Sequence, residues 1–163
     1  MIEIKMEKRI NWKTLAGSVA LPLAVGGLAA LLTMSSMEKF KALNQPPLSP
    51  PGWLFPVVWS ILFVLMGIAC YLIIRSKGDA EEKSKALKLY IGQLAVNFLW
   101  SILFFNFGLY NFAFVWLLFL LAVVVATTYK FYNLDKRAAY LLIPYIAWII
   151  FAGYLNLGIA ILN

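Results

Sequence analysis

The chain has 163 residues, 63% of them hydrophobic and only 13% charged, with a formal net charge of +7 and no histidine. Soluble domains carry roughly 45–50% apolar residues, so a single small soluble domain is excluded. One cysteine, Cys70, excludes an intramolecular disulfide.

Five windows of about twenty apolar residues, the length that crosses a bilayer, run over 13–34, 53–75, 87–107, 110–132 and 138–162. All seven acidic residues lie outside them. An ionised carboxylate at the bilayer centre costs about 2.5–3.5 kcal/mol even on insertion scales. The pattern therefore predicts an all-α integral membrane bundle of five transmembrane helices, with residues 1–163 forming one domain.

The first span follows basic residues, as a cleaved signal peptide would. Its apolar run exceeds the roughly 7–15 residues of a signal core, and no small-x-small cleavage site follows, so it reads as a retained helix. Glu3 and Glu7 weigh against a transit peptide. Ala16, Ala20 and Ala24, four apart, let another helix approach closely. That neighbour is either in the same chain or in a second copy, so a homodimer stays open.

Next comes QPPLSPPGWLFPVVW, residues 45–59, with five prolines and two tryptophans. Trp53 sits at a helix start, where interfacial anchoring places it; the same holds for Trp12. Phe55, Trp59 and Phe63 share one face of the second span, and Cys70 lies inside it as a buried thiol. The connector RSKGDAEEKSK reads as solvated. Gln93, Asn97, Trp100 and Phe104 share a face of the third span. NFGLYN is almost a turn, which makes the third and fourth spans antiparallel neighbours. Trp116 lies inside the fourth span. Tyr145, Trp148, Ala152 and Asn156 follow on one face of the fifth. Pro22 and Pro144 fall inside the first and fifth spans, where each removes a backbone hydrogen bond and a kink is expected.

Charge sets the orientation. Twelve of the fourteen basic residues lie in the N-terminal tail and in the second and fourth connections, leaving Lys39 and Lys41 on the other side. By the positive-inside rule the N-terminus is cytoplasmic, and the proline-rich loop and C-terminus face out, in what reads as a prokaryotic cell membrane. The charge is a topology signal and a contact for anionic membrane lipid, not a nucleic-acid footprint.

No intramembrane acid or base is present, which removes a charged proton relay, a histidine-held metal and most hydrolytic triads. What remains is aromatic rings and neutral amides. A deep indole N–H wants an acceptor, and a transmembrane Asn or Gln turns inward. Three faces carrying Trp59, Trp100 and Trp148 are therefore expected to converge. Small Ala152, between Trp148 and Asn156, leaves room for something flat. Two readings stand: the rings interdigitate as core, or they enclose a flat ligand.

Three stretches in order resemble the translocator protein family, also called tryptophan-rich sensory proteins. They are FKALNQPPLSPPGWLFPVVWSILFVLMGIA (40–69), VNFLWSILFFNFGLYNFAF (96–114) and LLIPYIAWIIFAGYLN (141–156). The resemblance implies a five-helix bundle with a ligand cavity opening under the first loop, which proline stiffens into a lid. It implies a receptor for porphyrins such as protoporphyrin IX and for drug-like aromatic ligands, with cholesterol in animal members. It also implies light- and oxygen-dependent porphyrin breakdown in some members, with tryptophans that map to Trp59 and Trp148. Pocket positions map to Pro51, Asn97, Trp100 and Ala152; Trp53, Phe104, Tyr145 and Asn156 complete the candidate set. No cofactor and no metal is required.

The departures are Lys39 where the family often has Trp, Leu48 where an aromatic is common, no acid in the fourth span, and no Lys or Arg after Tyr154 to complete a sterol motif. The functions left to separate are a tetrapyrrole receptor or scavenger, an enzyme that photo-oxidises the porphyrin, and a small-molecule or lipid transporter. The last is weakened by the lack of internal repeats.

Overall fold

The computed structural model describes residues 9–163, all of it helix and connection. The tail basic residues Lys5 and Lys8, and the acids Glu3 and Glu7, lie outside the described residues. The helices are α1 (Trp12–Thr33), α2 (Met37–Lys41), α3 (Leu54–Ile74), α4 (Ala80–Ser101), α5 (Tyr110–Leu134) and α6 (Lys136–Leu162). A 3₁₀ turn, Met34–Ser36, joins α1 to α2, and a π-helical turn, Ile102–Asn106, ends α4. Five helices are long and apolar enough to cross a membrane: Trp12–Lys41, Leu54–Ile74, Ala80–Asn106, Tyr110–Leu134 and Lys136–Leu162. The shortest, Leu54–Ile74, reaches about 31 Å at 1.5 Å per residue, against a hydrocarbon core of about 30 Å.

The five spans close into a ring in the order α1, α3, α6, α5, α4. Inside lie Met66, Ile73, Tyr90, Leu117, Leu120, Phe131, Tyr145 and Ile149. Outside, Leu28, Ile61, Ile91, Leu118, Phe119, Ile143 and Ile150 are exposed. Large apolar side chains covering the outer face of every long helix need hydrocarbon as solvent. The chain is a multi-pass membrane protein.

Two expectations need correction at the ends. The first span continues through the 3₁₀ turn to Lys41 rather than stopping at 34, so Lys39 and Phe40 are helical. The third begins at Ala80 rather than 87, because Asp79 caps it by accepting from the amides of Glu81 (3.0 Å) and Glu82 (3.3 Å). Half of the supposed solvated connector is therefore helix. Lys83 folds back to donate to the α3 carbonyls of Ile74 (2.8 Å) and Ser76 (3.2 Å) beyond it, satisfying the helix end.

The alanine stripe also points the other way. Ala16, Ala20 and Ala24 are exposed, while Ser18, Pro22, Ala29 and Thr33 form the buried face of α1. The close approach comes instead at Gly67 of α3, where a Cβ would overlap the α1 backbone at Val19 and Ser18. The alanine face is left to lipid or to a second copy. Both α1 and α6 run through Pro22 and Pro144 without a break in the helix.

The connection between α4 and α5 is as short as expected, with Gly108 at φ 61° making the reversal. Asp135 opens α6 by accepting from the Arg137 amide at 2.9 Å. The Arg137 guanidinium, 2.9 Å from its carboxylate, holds Asp135 below the ordinary carboxylate range. A depressed folded value stabilises above the unfolded value and loses that contribution as pH falls through the folded one.

Candidate ligand site at the aromatic end of the bundle

The residues that terminate α4 and begin α3, α5 and α6's last turns meet at one end of the bundle. On α3, Trp59 stacks on Phe63 (ring centroids 5.6 Å, 28°) and meets Tyr145 of α6 edge-on at 6.2 Å. It also lies 6.5 Å from Trp100 of α4. Trp100 is buried and stacks on Phe104 at 5.5 Å. Phe104 in turn makes edge contacts with Phe105 (4.9 Å), Tyr110 (5.1 Å) and Phe40 (5.9 Å). One continuous aromatic series thus joins five helices, α2 to α6, through the π turn.

Polar groups thread the same volume. The Asn97 amide donates to the Tyr145 hydroxyl at 2.7 Å, and that hydroxyl donates to Gln93 Oε1 at 2.8 Å. The Gln93 amide reaches Met66 Sδ at 3.8 Å. Nearby the Trp100 indole donates to Asn156 Oδ1 at 3.1 Å, and Asn156 donates to the Tyr110 carbonyl at 2.8 Å. All five polar partners are forced inward because hydrocarbon offers no hydrogen bond.

Trp148 stands apart from this network. It meets Phe55 edge-on at 6.0 Å and Phe151 at 5.4 Å, and its indole N–H is buried with no acceptor among the described residues. It walls a lateral groove of about 500 Å³ between α3 and α6, lined also by Val58, Ile61, Leu62, Leu65 and Pro144. A second recess, about 120 Å³, lies beneath α2 against Phe104, Phe105 and Tyr110.

Of the residues singled out in the sequence, Trp59, Asn97, Trp100, Phe104, Tyr145 and Asn156 are brought together, with Ala152 buried on the same face of α6. Trp148 borders them from the groove side. Pro51 and Trp53 are exposed and stand outside the cluster; the Pro51 carbonyl instead receives the Leu54 amide at 3.0 Å, starting α3. Phe40, Phe105 and Tyr110 were not singled out. Phe104 and Phe105 are adjacent in the π turn that ends α4, and both rings reach Phe40. The proline-rich loop is fastened to α6 rather than free above it. Asn44 and Asn163 exchange bonds of 2.9 and 3.0 Å, the Tyr154 hydroxyl donates to the Pro47 carbonyl at 2.7 Å, and a Cβ at Gly158 would overlap buried Pro46.

Five membrane-crossing helices around an inward-facing aromatic and amide centre define a polytopic membrane protein. The TspO/MBR family model matches residues 18–162, and the chain belongs to that family. The tryptophan-rich protein TspO of Chlorobaculum tepidum is 35% identical over 156 residues, covering 92% of this chain and 96% of its own. The protein of the same name from Archaeoglobus fulgidus is 36% identical over 158 residues, 94% and 99% of the two chains. The translocator protein of Bos taurus is 36% identical over 147 residues, 89% and 87%.

Proposed function

We propose that the protein is a membrane receptor or scavenger that takes flat hydrophobic ligands of the porphyrin class between α3 and α6. The observation that carries this reading is the Trp148 groove of about 500 Å³, within the range of about 300–1,000 Å³ usual for small-molecule sites, backed by the Trp59–Trp100–Phe104 series. In this reading Trp59, Trp100, Phe104 and Trp148 are stacking walls and Ala152 is the floor. Asn97, Tyr145 and Asn156 hold the walls in register, because their hydrogen bonds are already made, Asn97 to Tyr145 and Asn156 to Trp100 and the Tyr110 carbonyl. Pro51 and Trp53 belong to the rim.

Titration of protoporphyrin IX into the protein in nanodiscs, read by quenching of tryptophan fluorescence, tests it. Ala152→Leu fills the floor and should weaken binding about tenfold, roughly 1.4 kcal/mol, while helix content by circular dichroism is unchanged. A folded Ala152→Leu protein that binds as tightly as the parent would mean that the rings are packing core and nothing more.

A second reading, light- and oxygen-dependent breakdown of the bound porphyrin, assigns electron donation to Trp59 and Trp148. The edge contact of Trp59 with Tyr145 favours it, since the Tyr145 hydroxyl already points its proton at Gln93. Illumination of the complex in air, with Trp59→Phe and Trp148→Phe alongside, separates the two. A Soret band that bleaches no faster than with an unrelated membrane protein leaves a receptor only.

A further inference from the structure

At the end of the bundle where the α3–α4 connection lies, α4 packs along α5 but only thinly against α3 and α1. A groove of about 600 Å³ opens there between Ile74, the last residue of α3, and the first three turns of α4. On the α4 side it is lined by Ala80, Ser84, Leu87, Lys88 and Ile91, which helical spacing places on one face, with Lys83 beside them. Small Ala80 and Ser84 leave the space, and Ile74, Leu87 and Ile91 make its wall apolar. No residue of this groove lines the Trp148 groove, so the two are separate sites.

The cations of the groove face no acid. Asp79 is engaged with the amides of Glu81 and Glu82. Glu81 pairs with Lys85 at 3.0 Å, and Glu82 pairs with Lys85 at 3.1 Å and Lys130 at 3.3 Å, on the α5 side of the helix. Lys83 uses two of its three donors on α3-end carbonyls and keeps one. Lys88 has no acid or hydrogen-bond partner among the described residues. Depth matters as much as charge. The stretch from Lys88 to Asn106 reaches about 27 Å at 1.5 Å per residue, against a hydrocarbon core of about 30 Å. Lys88 therefore sits at headgroup level, and Ile91 lies about one turn deeper among acyl chains. Along the groove, polarity changes in the order in which it changes along a phospholipid.

We propose that this groove holds one anionic phospholipid, its phosphate seated among Lys88, Lys83 and the Ser84 hydroxyl and one acyl chain lying along Ile74, Leu87 and Ile91. At about 30 Å³ per water-sized group, a volume of about 600 Å³ takes one chain with its phosphate. A zwitterionic lipid fits less well, because its headgroup ammonium meets two cations and no acid. The rest of the outer surface is covered by exchanging lipid; here the charge and the chain are held together, so one molecule is retained. The inference does not depend on the receptor reading.

The test is native mass spectrometry of the full chain released from micelles that hold equal amounts of dioleoyl phosphatidylglycerol and dioleoyl phosphatidylcholine. A surface lysine favours anionic lipid by about fivefold; with Lys83 partly engaged, the parent should retain one phosphatidylglycerol about tenfold over phosphatidylcholine. Lys88→Met keeps the aliphatic length, removes the charge and should cut that preference about fivefold, and Lys88→Arg should restore it. Ser84→Trp keeps both lysines, fills the groove and should lower retention of either lipid. Lys77→Met, the same loss of charge on an exposed part of the connection, should leave the preference intact. Equal retention of the two lipids by the parent overturns the site, as does an undiminished preference in Lys88→Met. A loss in Lys77→Met equal to that in Lys88→Met overturns it too, because the effect would then be bulk charge. So does a Ser84→Trp protein, folded by circular dichroism, that retains lipid as the parent does. Displacement of the lipid by millimolar inorganic phosphate overturns the lipid assignment, since the anion alone would then be the ligand.

Discussion

Replacing Tyr145 by Phe removes one oxygen and no carbon from a side chain that is 1% exposed. It deletes two hydrogen bonds, the 2.7 Å bond from Asn97 and the 2.8 Å bond to Gln93. Both link α4 to α6 across the bundle. Interhelical hydrogen bonds inside membrane proteins average about 0.6 kcal/mol and reach about 1.7, so two of them contribute roughly 1–3 kcal/mol. The upper half of that range is expected here, since Gln93 keeps only a weak sulfur contact and the Asn97 donor is orphaned. Unfolding in mixed micelles by increasing SDS, followed by circular dichroism, measures the loss. The companion variant Gln93→Leu, alone and combined with Tyr145→Phe, completes a cycle whose coupling isolates the pair. Removing both partners should cost less than the sum of the single losses, because no acceptor is then left unpaired. A loss below about 0.5 kcal/mol in Tyr145→Phe, or a coupling of zero, would refute the claim that these bonds, rather than ring packing, join α4 to α6.

Three further outcomes follow from other parts of the molecule. Gly67→Ala should separate α1 from α3 and lower stability by about 1–3 kcal/mol, since the new methyl meets α1 backbone rather than a movable side chain; an unchanged SDS midpoint would contradict the crossing. A reporter fused after Asn163 should be extracytoplasmic in a bacterial host, because twelve of the fourteen basic residues fall in the N-terminal tail and the second and fourth connections of the sequence, and a cytoplasmic reporter would overturn the orientation. Metal-free protoporphyrin should bind at least as tightly as haem, without a bis-axial low-spin spectrum, because the chain has no histidine and Cys70 is buried away from the aromatic end; haem binding more than about tenfold tighter with such a spectrum would mean that Met, Tyr or Cys ligates iron.

The five spans were legible because hydrocarbon imposes a single requirement, length with low polarity, that each window meets independently. The converging faces were legible for a related reason: Gln93, Asn97 and Asn156 have nowhere to go but inward, and helical spacing then carries Trp100 and Tyr145 with them. What escaped was set by neighbours. The start of α4 at Ala80 depends on one capping carboxylate within a run that reads as uniformly solvated. The exposed Ala16, Ala20 and Ala24 show that small residues permit close packing without specifying it; the close approach is of Ser18 and Val19 to Gly67. Phe105 and Phe40 joined the cluster through a π turn and an extended α1–α2 run, neither of which has a periodicity that a window can count.

The distribution of directional bonds says where the wall of the site is weakest. The proline-rich loop is bound to the end of α6 by the Asn44–Asn163 exchange, by the Asn44 amide on the Leu162 carbonyl at 3.4 Å and by Tyr154 on Pro47. Entry from above has to break these. α4 is bound to α6 by Tyr145 and Asn156. The outer half of α3, from Leu54 to Leu65, meets α4 and α6 through ring contacts of Phe55 and Trp59, with no side-chain hydrogen bond to either among the described residues. Ring contacts are short-ranged but tolerant of sliding, and a flat ligand replaces them with contacts of the same kind. A hydrogen bond broken in hydrocarbon finds no substitute. If the proposed receptor reading holds, the route of least loss runs sideways from the membrane between α3 and α6, past Trp148, with the loop's bonds holding α6.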